Sequence, residues 1–177
     1  NVSSLHGLFQ DCKSIVDLGC GIAYTTAALK QLFPSSNVFG TNLENTRQYD
    51  FCKGMSEQFG FTVVPDVSSI GKHVDLVVAF EYFEHIENAT DHLDEVLTTL
   101  TPRFLLIANS FNTRAPGHFE FYTSVQQKRL PARMMTRRFG EVMQRHGYVR
   151  LNTKIWNNKP SVWILLPGIR GRQANGR

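Results

Sequence analysis

Residues Ser14-Ile15-Val16-Asp17-Leu18-Gly19-Cys20-Gly21-Ile22-Ala23 constrain this chain more than any other stretch. An apolar run of strand type ends in an acid and two glycines separated by one residue. Ala27, Ala28, Leu29, Leu32 and Phe33 then recur at helical spacing. The stretch reads as strand, tight turn, helix. Gly19 permits backbone angles that a side chain forbids, and Gly21 lets a ligand approach the main chain closely. The turn opens onto a helix N-terminus, whose free N–H groups attract negative or hydrogen-bond-accepting groups. Asp17 narrows the choice. A carboxylate repels a nucleotide pyrophosphate and suits a cationic or hydroxyl-bearing ligand better.

The rest of the chain repeats the unit. A helix over 22–33 stops at Pro34. A second strand (37–41), a second helix (45–59, weakened by Gly54) and a short third strand (61–64) follow. The runs 74–80 and 104–109 are almost continuously apolar, as strands buried on both faces in the middle of a parallel sheet are. Between them Leu93, Val96, Leu97 and Leu100 predict a helix capped by Asn88 or Thr90 and ended by Pro102. Stretches 124–130 and 133–146 read as helices, the second stopped by Gly147. Stretches 149–156 and 161–166 read as strands joined by the turn Asn157-Asn158-Lys159-Pro160. Alternation of this kind, closed by a hairpin, implies one doubly wound α/β domain. Three segments result: a lead-in over 1–13 with Leu5, Leu8 and Phe9 on one side of a short helix, the domain over 14–167, and a basic Gly- and Arg-rich tail over 168–177.

Composition excludes more than it identifies. A chain of 177 residues with 42% hydrophobic and 19% charged residues has enough material for one real core. No apolar run reaches the roughly 20 residues that cross a bilayer, and no basic region leads into a long apolar stretch, so neither a membrane span nor a secretory leader is expected. Cys12, Cys20 and Cys52 have no metal-type spacing, and no metal site is expected. An odd cysteine count fits reduced thiols in a cytoplasm. The net charge of +4 permits an anionic partner without requiring one.

Val16-Asp17-Leu18-Gly19-Cys20-Gly21 resembles the first motif of the class I S-adenosylmethionine-dependent methyltransferases, an acid followed by three alternate glycines. Ala23 stands where the third glycine would be. Glu81-Tyr82-Phe83-Glu84-His85 resembles that family's fourth motif, and the likeness extends from about residue 14 to 166. It implies a Rossmann-like, doubly wound, mostly parallel seven-stranded sheet with an antiparallel C-terminal hairpin. It also implies S-adenosylmethionine as cofactor, held by Asp17, Gly19 and Gly21. The family's acid at the second strand end, which receives the ribose hydroxyls, is Asn42 here. An amide still accepts a hydroxyl proton but without charge assistance. Asp66 matches the acid that faces the adenine amine, and its alternative role is to cap the turn at Ser68 and Ser69. Phe80 and Glu81 line the methionine end.

Candidates for chemistry cluster after the fourth and fifth strands. His85 is able to take a proton near neutral pH. Asn109, His118 and Tyr122 lie in or beside the loop where substrate groups sit, and Gly117-His118 followed by Tyr122-Thr123 resembles a segment of small-molecule members of the family. The expected reaction is methyl transfer to a small molecule, a sugar or a nucleotide. Two alternatives stand beside it. One is an acceptor that is RNA or protein, met as an anionic partner through the Arg-rich C-terminal region. The other is a methyltransferase-like binding subunit without catalysis, for which Ala23 and Asn42 argue. A dehydrogenase leaves Asp17 and the Glu-His segment unexplained.

Overall fold

The computed structural model describes residues 5–123, 128–153 and 159–167. Its elements run α1 (Leu5–Phe9), β1 (Ser14–Asp17), α2 (Tyr24–Leu32), β2 (Asn37–Thr41), α3 (Arg47–Phe59), β3 (Thr62–Val64), β4 (Leu76–Phe80), α4 (Ala89–Leu100), β5 (Phe104–Ala108), β6 (Phe121–Thr123), β7 (Arg129–Pro131), α5 (Ala132–Arg145), β8 (Tyr148–Leu151) and β9 (Ser161–Leu165). Seven strands form one sheet in the order β3-β2-β1-β4-β5-β9-β8. The first five are parallel, with Ile15 opposite both Val38 and Leu76, and Val77 opposite Leu105. β9 runs antiparallel to β5 and to β8. This is the seven-stranded, mostly parallel sheet with an antiparallel C-terminal pair that the resemblance implied.

The apolar strands supply two cores, because successive side chains point to opposite faces. Val16, Val77, Ala79, Leu105 and Ile107 join one core with α4 and α5, through Leu93, Val96, Leu97, Leu100, Met135, Phe139 and Met143. Ile15, Leu76, Val78, Phe104 and Leu106 join the other with α1, α2 and α3, through Phe9, Ala27, Leu29 and Cys52. β4 and β5, covered on both faces, carry no polar residue, whence their continuous apolar runs. The lead-in helix packs as read, with Phe9 buried and Leu5 and Leu8 against the same core. No helix among the described residues is long and apolar enough to cross a membrane.

Four expectations are corrected. α2 begins at Tyr24, because Ala23 holds a left-handed backbone at φ 65 and closes the turn instead of starting the helix. Between β3 and β4 there is only a 3-10 turn over Val67–Ser69. Part of the helix expected over 124–130 is strand: β7 pairs antiparallel with β6, setting Pro131 opposite Phe121 and Arg129 opposite Thr123. Residues 124–127 lie outside the described set. Aromatic and β-branched residues in β6 favour pairing, and proline is tolerated on the edge of so small a ribbon. β8 ends at Leu151, earlier than expected, and the turn residues Asn157 and Asn158, like the tail 168–177, lie outside the described residues.

Candidate active site

Parallel pairing places the carboxyl ends of β1 to β5 along one edge of the sheet. Asp17, Asn42, Asp66, Glu81 and Asn109 follow or close those strands, so one edge gathers the residues singled out from the sequence. That edge is where open α/β sheets bind ligands.

The turn after β1 alternates in handedness. Gly19 has φ +62, Gly21 φ +58 and Ala23 φ 65. Only Ala23 carries a Cβ there, a conformation that costs an L-residue about 1–2 kcal/mol. Its N–H donates to the Cys20 carbonyl at 2.7 Å, and its own carbonyl accepts from Ala27 N–H at 2.9 Å. The end of β2 tethers the turn: Gly19 N–H donates to Thr41 Oγ1 and Cys20 N–H to the Thr41 carbonyl, both at 2.9 Å. A Cβ on Gly21 would meet nothing nearer than Gln48 Nε2 at 3.7 Å, so that face of the turn is open to a ligand. Gly19 differs. A Cβ there would sit 2.2 Å from the ring of Tyr82, which covers the turn from the β4 side. The Tyr82 hydroxyl is 2.8 Å from His92 Nε2, and His92 Nδ1 is 3.2 Å from Glu95. Burial, aided by the Glu95 charge, pushes the Tyr82 hydroxyl up to about 12.

Asp17 is only 3% exposed, and Thr26 Oγ1 donates to its carboxylate at 2.7 Å. Burial pushes its pKa up to about 6, and the Thr26 hydroxyl offsets part of that rise. Asn42 is buried, its amide bonded within the protein to Gly21 and Cys52. Asp66 is exposed and accepts from Ser68 N–H and Ser68 Oγ, so the capping geometry is present. These bonds hold its carboxyl below the usual carboxylate range.

The β4 end is built from side chains. Phe80 is 37% exposed. Glu81 adopts φ 48, a left-handed backbone that is strained for a side chain with a Cβ, while its N–H donates to the Ala108 carbonyl at 2.9 Å. A 3-10 turn over Phe83–His85 then turns Glu84 inward until it is 0% exposed. Ser110 N–H donates to Glu84 Oε1 at 2.6 Å, and the Asn109 amide, oriented to donate, reaches Glu84 Oε2 at 3.2 Å. Ser110 Oγ donates to Glu81 at 3.3 Å. Burial raises the Glu84 pKa, and the Ser110 N–H works against it.

The loop after β5 brings His118 to the same place. Ligand atoms of Glu81, Glu84 and His118 all lie within 4.8 Å of one another. His118 Nδ1 is inaccessible and has no hydrogen-bond partner among the described residues, although such buried ring nitrogens are normally bonded. The His85 ring stands edge-on to His118 with centroids 4.8 Å apart, and its Nδ1 is 3.2 Å from the Gly117 carbonyl. Gly117, at φ +81, leaves room for that ring, since a Cβ would lie 2.8 Å from it. No metal site was expected from the sequence, and these three groups are nevertheless close enough to share one ion. Two carboxylates and an imidazole suit a divalent cation with oxygen and nitrogen ligands.

Tyr122 is not placed as the resemblance implied. Tyr122 is fully buried and its hydroxyl donates to the Glu84 backbone carbonyl at 3.0 Å, so it supports the turn and presents no surface to a substrate. Asn109 is half-buried, and its amide is turned towards Glu84. Sequence reasoning missed Glu84, Thr26, Cys52 and Ser110 as participants. Glu84 alone left a signal, an acid inside an otherwise apolar motif. A cavity of about 790 Å³ opens beside Glu81, lined by Asn109, Phe111, Arg137, Arg150 and Trp163. A second, of about 440 Å³, has His118 and Arg133 in its wall. Among the arginines of the C-terminal region, Arg137 and Arg138 pair with Glu141, Arg145 pairs with Asp94, and Arg129 lies 4.5 Å over the Phe121 ring.

Comparison with known proteins bears on the family and the fold. A family model described as "Methyltransferase domain" matches residues 16–108, more than half of the chain. No curated protein matches the sequence. Among solved structures, the methyltransferase domain of bacterial CtHen1-CN superposes with a TM-score of 0.59 at 15% identity, covering 90% of this chain and 94% of that one. An O-methyltransferase family protein from Burkholderia thailandensis gives 0.59 at 14% identity, covering 89% and 52%. An O-methyltransferase from a trans-AT PKS multienzyme of Brevibacillus brevis, in complex with S-adenosyl-L-homocysteine, gives 0.58 at 18%, covering 82% and 51%. The chain thus spans about half the length of two of these proteins, and at such identities the likeness is one of fold.

Proposed function

The chain belongs to the methyltransferase-domain family, and from that premise we propose that it moves a methyl group from S-adenosylmethionine to a hydroxyl of a small molecule, a sugar or a nucleotide. The carrying observation is the convergence of Glu81, Glu84 and His118, with an unpartnered His118 nitrogen, beside the open turn of a methyltransferase fold.

Two kinds of ligand fit what is present. The open face at Gly21, buried Asp17, exposed Asp66 and the Phe80–Glu81 strand end are the groups that would hold the cofactor. Glu81, Glu84 and His118 would hold a divalent cation, whose chemistry when bound is to lower the pKa of a hydroxyl at neutral pH. The protein's own work is to bind and orient. Attack on a sulfonium methyl requires the nucleophile and methyl in line at close approach, and fixing them there supplies much of the acceleration. The strained Glu81 backbone and the Ser110 and Asn109 bonds to Glu84 keep the carboxylates from swinging. With Nδ1–H donating to the Gly117 carbonyl, His85 carries its lone pair on Nε2 and accepts the proton that a hydroxyl must lose. The cavities beside Glu81 and His118 are of a size for a small acceptor, and Arg133, Arg150 and Lys159 on their walls favour an anionic one such as a nucleotide.

The test has two arms. Calorimetric titration with S-adenosylmethionine, S-adenosylhomocysteine and NAD should give micromolar affinity for the first two and none for NAD. A screen of hydroxyl acceptors, run with and without a chelator, should show transfer that the chelator abolishes and added Mn²⁺ or Mg²⁺ restores. Binding without any transfer supports the second reading, a binding subunit. Absence of binding sinks the proposal.

A further inference from the structure

Asn42 occupies the position where a ribose-binding acid was expected, and its side chain is engaged elsewhere. Its Nδ2 donates to the Gly21 carbonyl at 2.7 Å and to Cys52 Sγ at 3.3 Å, while its Oδ1 accepts from Leu43 N–H at 2.9 Å. The residue is 8% exposed. A primary amide has two N–H groups, and both are engaged here. The Cys52 thiol donates to the same Gly21 carbonyl at 2.8 Å. With the Thr41 bonds to Gly19 and Cys20, three successive residues of the turn are thus tied to the end of β2, and Gly21 is tied through its oxygen.

We propose that Asn42 is a positioning residue: its amide holds the Gly21 carbonyl, and through it the left-handed backbone at Gly21, in the shape that receives the cofactor. The inference rests on the cofactor reading above and deepens it. It explains why an amide stands where an acid was expected. Aspartate has the same shape but, ionised, offers no hydrogen. Its oxygen would face the Gly21 oxygen at hydrogen-bond distance, two acceptors against each other, with one donor, Cys52, left to the carbonyl. The ribose-contact reading demands the opposite. There aspartate should do better than asparagine, because a hydroxyl bonds more strongly to a charged acceptor.

The two readings separate on Asn42→Asp and Asn42→Ala. The probes are S-adenosylhomocysteine and its analogue lacking both ribose hydroxyls, titrated calorimetrically at pH 7.5. As a positioning residue, Asn42→Asp should weaken S-adenosylhomocysteine binding by about tenfold and Asn42→Ala by about fivefold, as for the loss of a buried hydrogen bond. The penalty for removing the hydroxyls from the ligand should be the same in Asn42→Ala as in the parent chain. Tighter binding by Asn42→Asp, or a penalty that vanishes in Asn42→Ala, would overturn the inference. Amide hydrogen exchange without ligand supplies the second readout. Both variants should accelerate exchange at Cys20 and Ala23, whose N–H groups close the turn, and leave β5 amides unchanged. Unchanged exchange at the turn would also overturn it. A parent chain that fails to bind S-adenosylhomocysteine at all would sink the cofactor reading while leaving the exchange result to decide the clamp.

Discussion

The two ends of the candidate cleft are built from different materials. At the β1 end the working surface is backbone: three alternate residues with positive φ, tied to Thr41 and Asn42. At the β4 end it is side chain: Glu81, Glu84 and His118, carried by two separate loops and steadied by Ser110 and Asn109. A backbone device needs particular residues in unbroken order, since only glycine takes such angles without strain. A side-chain cluster needs only that certain types arrive at one point, from wherever the chain brings them. The first should therefore be sensitive to added atoms, the second to removed ones.

The largest effect belongs to the side-chain end. His118→Ala should reduce kcat by about 10²–10³-fold, in the range of losing one group that handles a proton or holds its partner. S-adenosylhomocysteine affinity should change by less than about twofold, since His118 is not among the groups assigned to the cofactor. A parallel fall in that affinity would erase the distinction between the two ends.

At the backbone end, Gly19→Ala should destabilise the fold by about 3 kcal/mol, combining left-handed strain with a clash of the overpacking kind. The clash is specific, with the Cβ 2.2 Å from the Tyr82 ring. Adding Tyr82→Ala should therefore recover the steric share and leave the strain, a non-additivity that denaturant titration of the cycle measures. Simple addition of the two losses would mean that the ring does not oppose the turn.

Asp17 sharpens the comparison, since it is a side chain serving the backbone end. Its folded pKa of about 6 lies above the reference value of 3.8, so the folded state binds the proton more tightly than the unfolded chain. Such a group costs stability as pH rises from about 4 to about 6, and the full cost persists above that. Asp17→Asn keeps an oxygen for Thr26 and should stabilise the protein by about 2 kcal/mol at pH 7.5, an advantage that fades as pH falls from about 6 and is gone below about pH 4. The same variant should bind S-adenosylmethionine, a cation at sulfur, less well. Thermal melts across pH with a parallel titration check both halves. A variant that gains no stability at pH 7.5 would place the carboxylate in a better-solvated site than its burial implies.

The smallest effect is the most local. Ala23→Gly relieves left-handed strain at φ 65 but enlarges the freedom of the unfolded chain, for a net gain of about 0.5 kcal/mol. A loss of stability would mean that the packing of the buried Ala23 methyl outweighs its backbone strain.

Much of the cleft could be read before any coordinates, and the limits have physical causes. Asp17-Leu18-Gly19-Cys20-Gly21 announced the turn because backbone constraints act on contiguous residues. The strands declared themselves because β4 and β5 are buried on both faces and tolerate no polar residue. β7 was misread as helix because its three residues are strand only through pairing with β6, which no local pattern records. Tyr122 was placed at the substrate because its segment resembles one in small-molecule members of the family, whereas its hydroxyl donates to the Glu84 carbonyl.

By itself the amino-acid order determined the alternation of elements, the handed turn and the residue types at each strand end. These are properties of neighbours in the chain, where sterics and periodicity act. Only the tertiary structure decided which polar groups became one another's partners. Asn42 is engaged by Gly21, Glu84 is held by Ser110 and Asn109, and His118 is brought across to the two glutamates without a partner for its Nδ1. Hydrogen bonds and ligand sets depend on distances of about 3 Å between atoms far apart in sequence, and those distances exist only once the sheet has set its strand ends side by side.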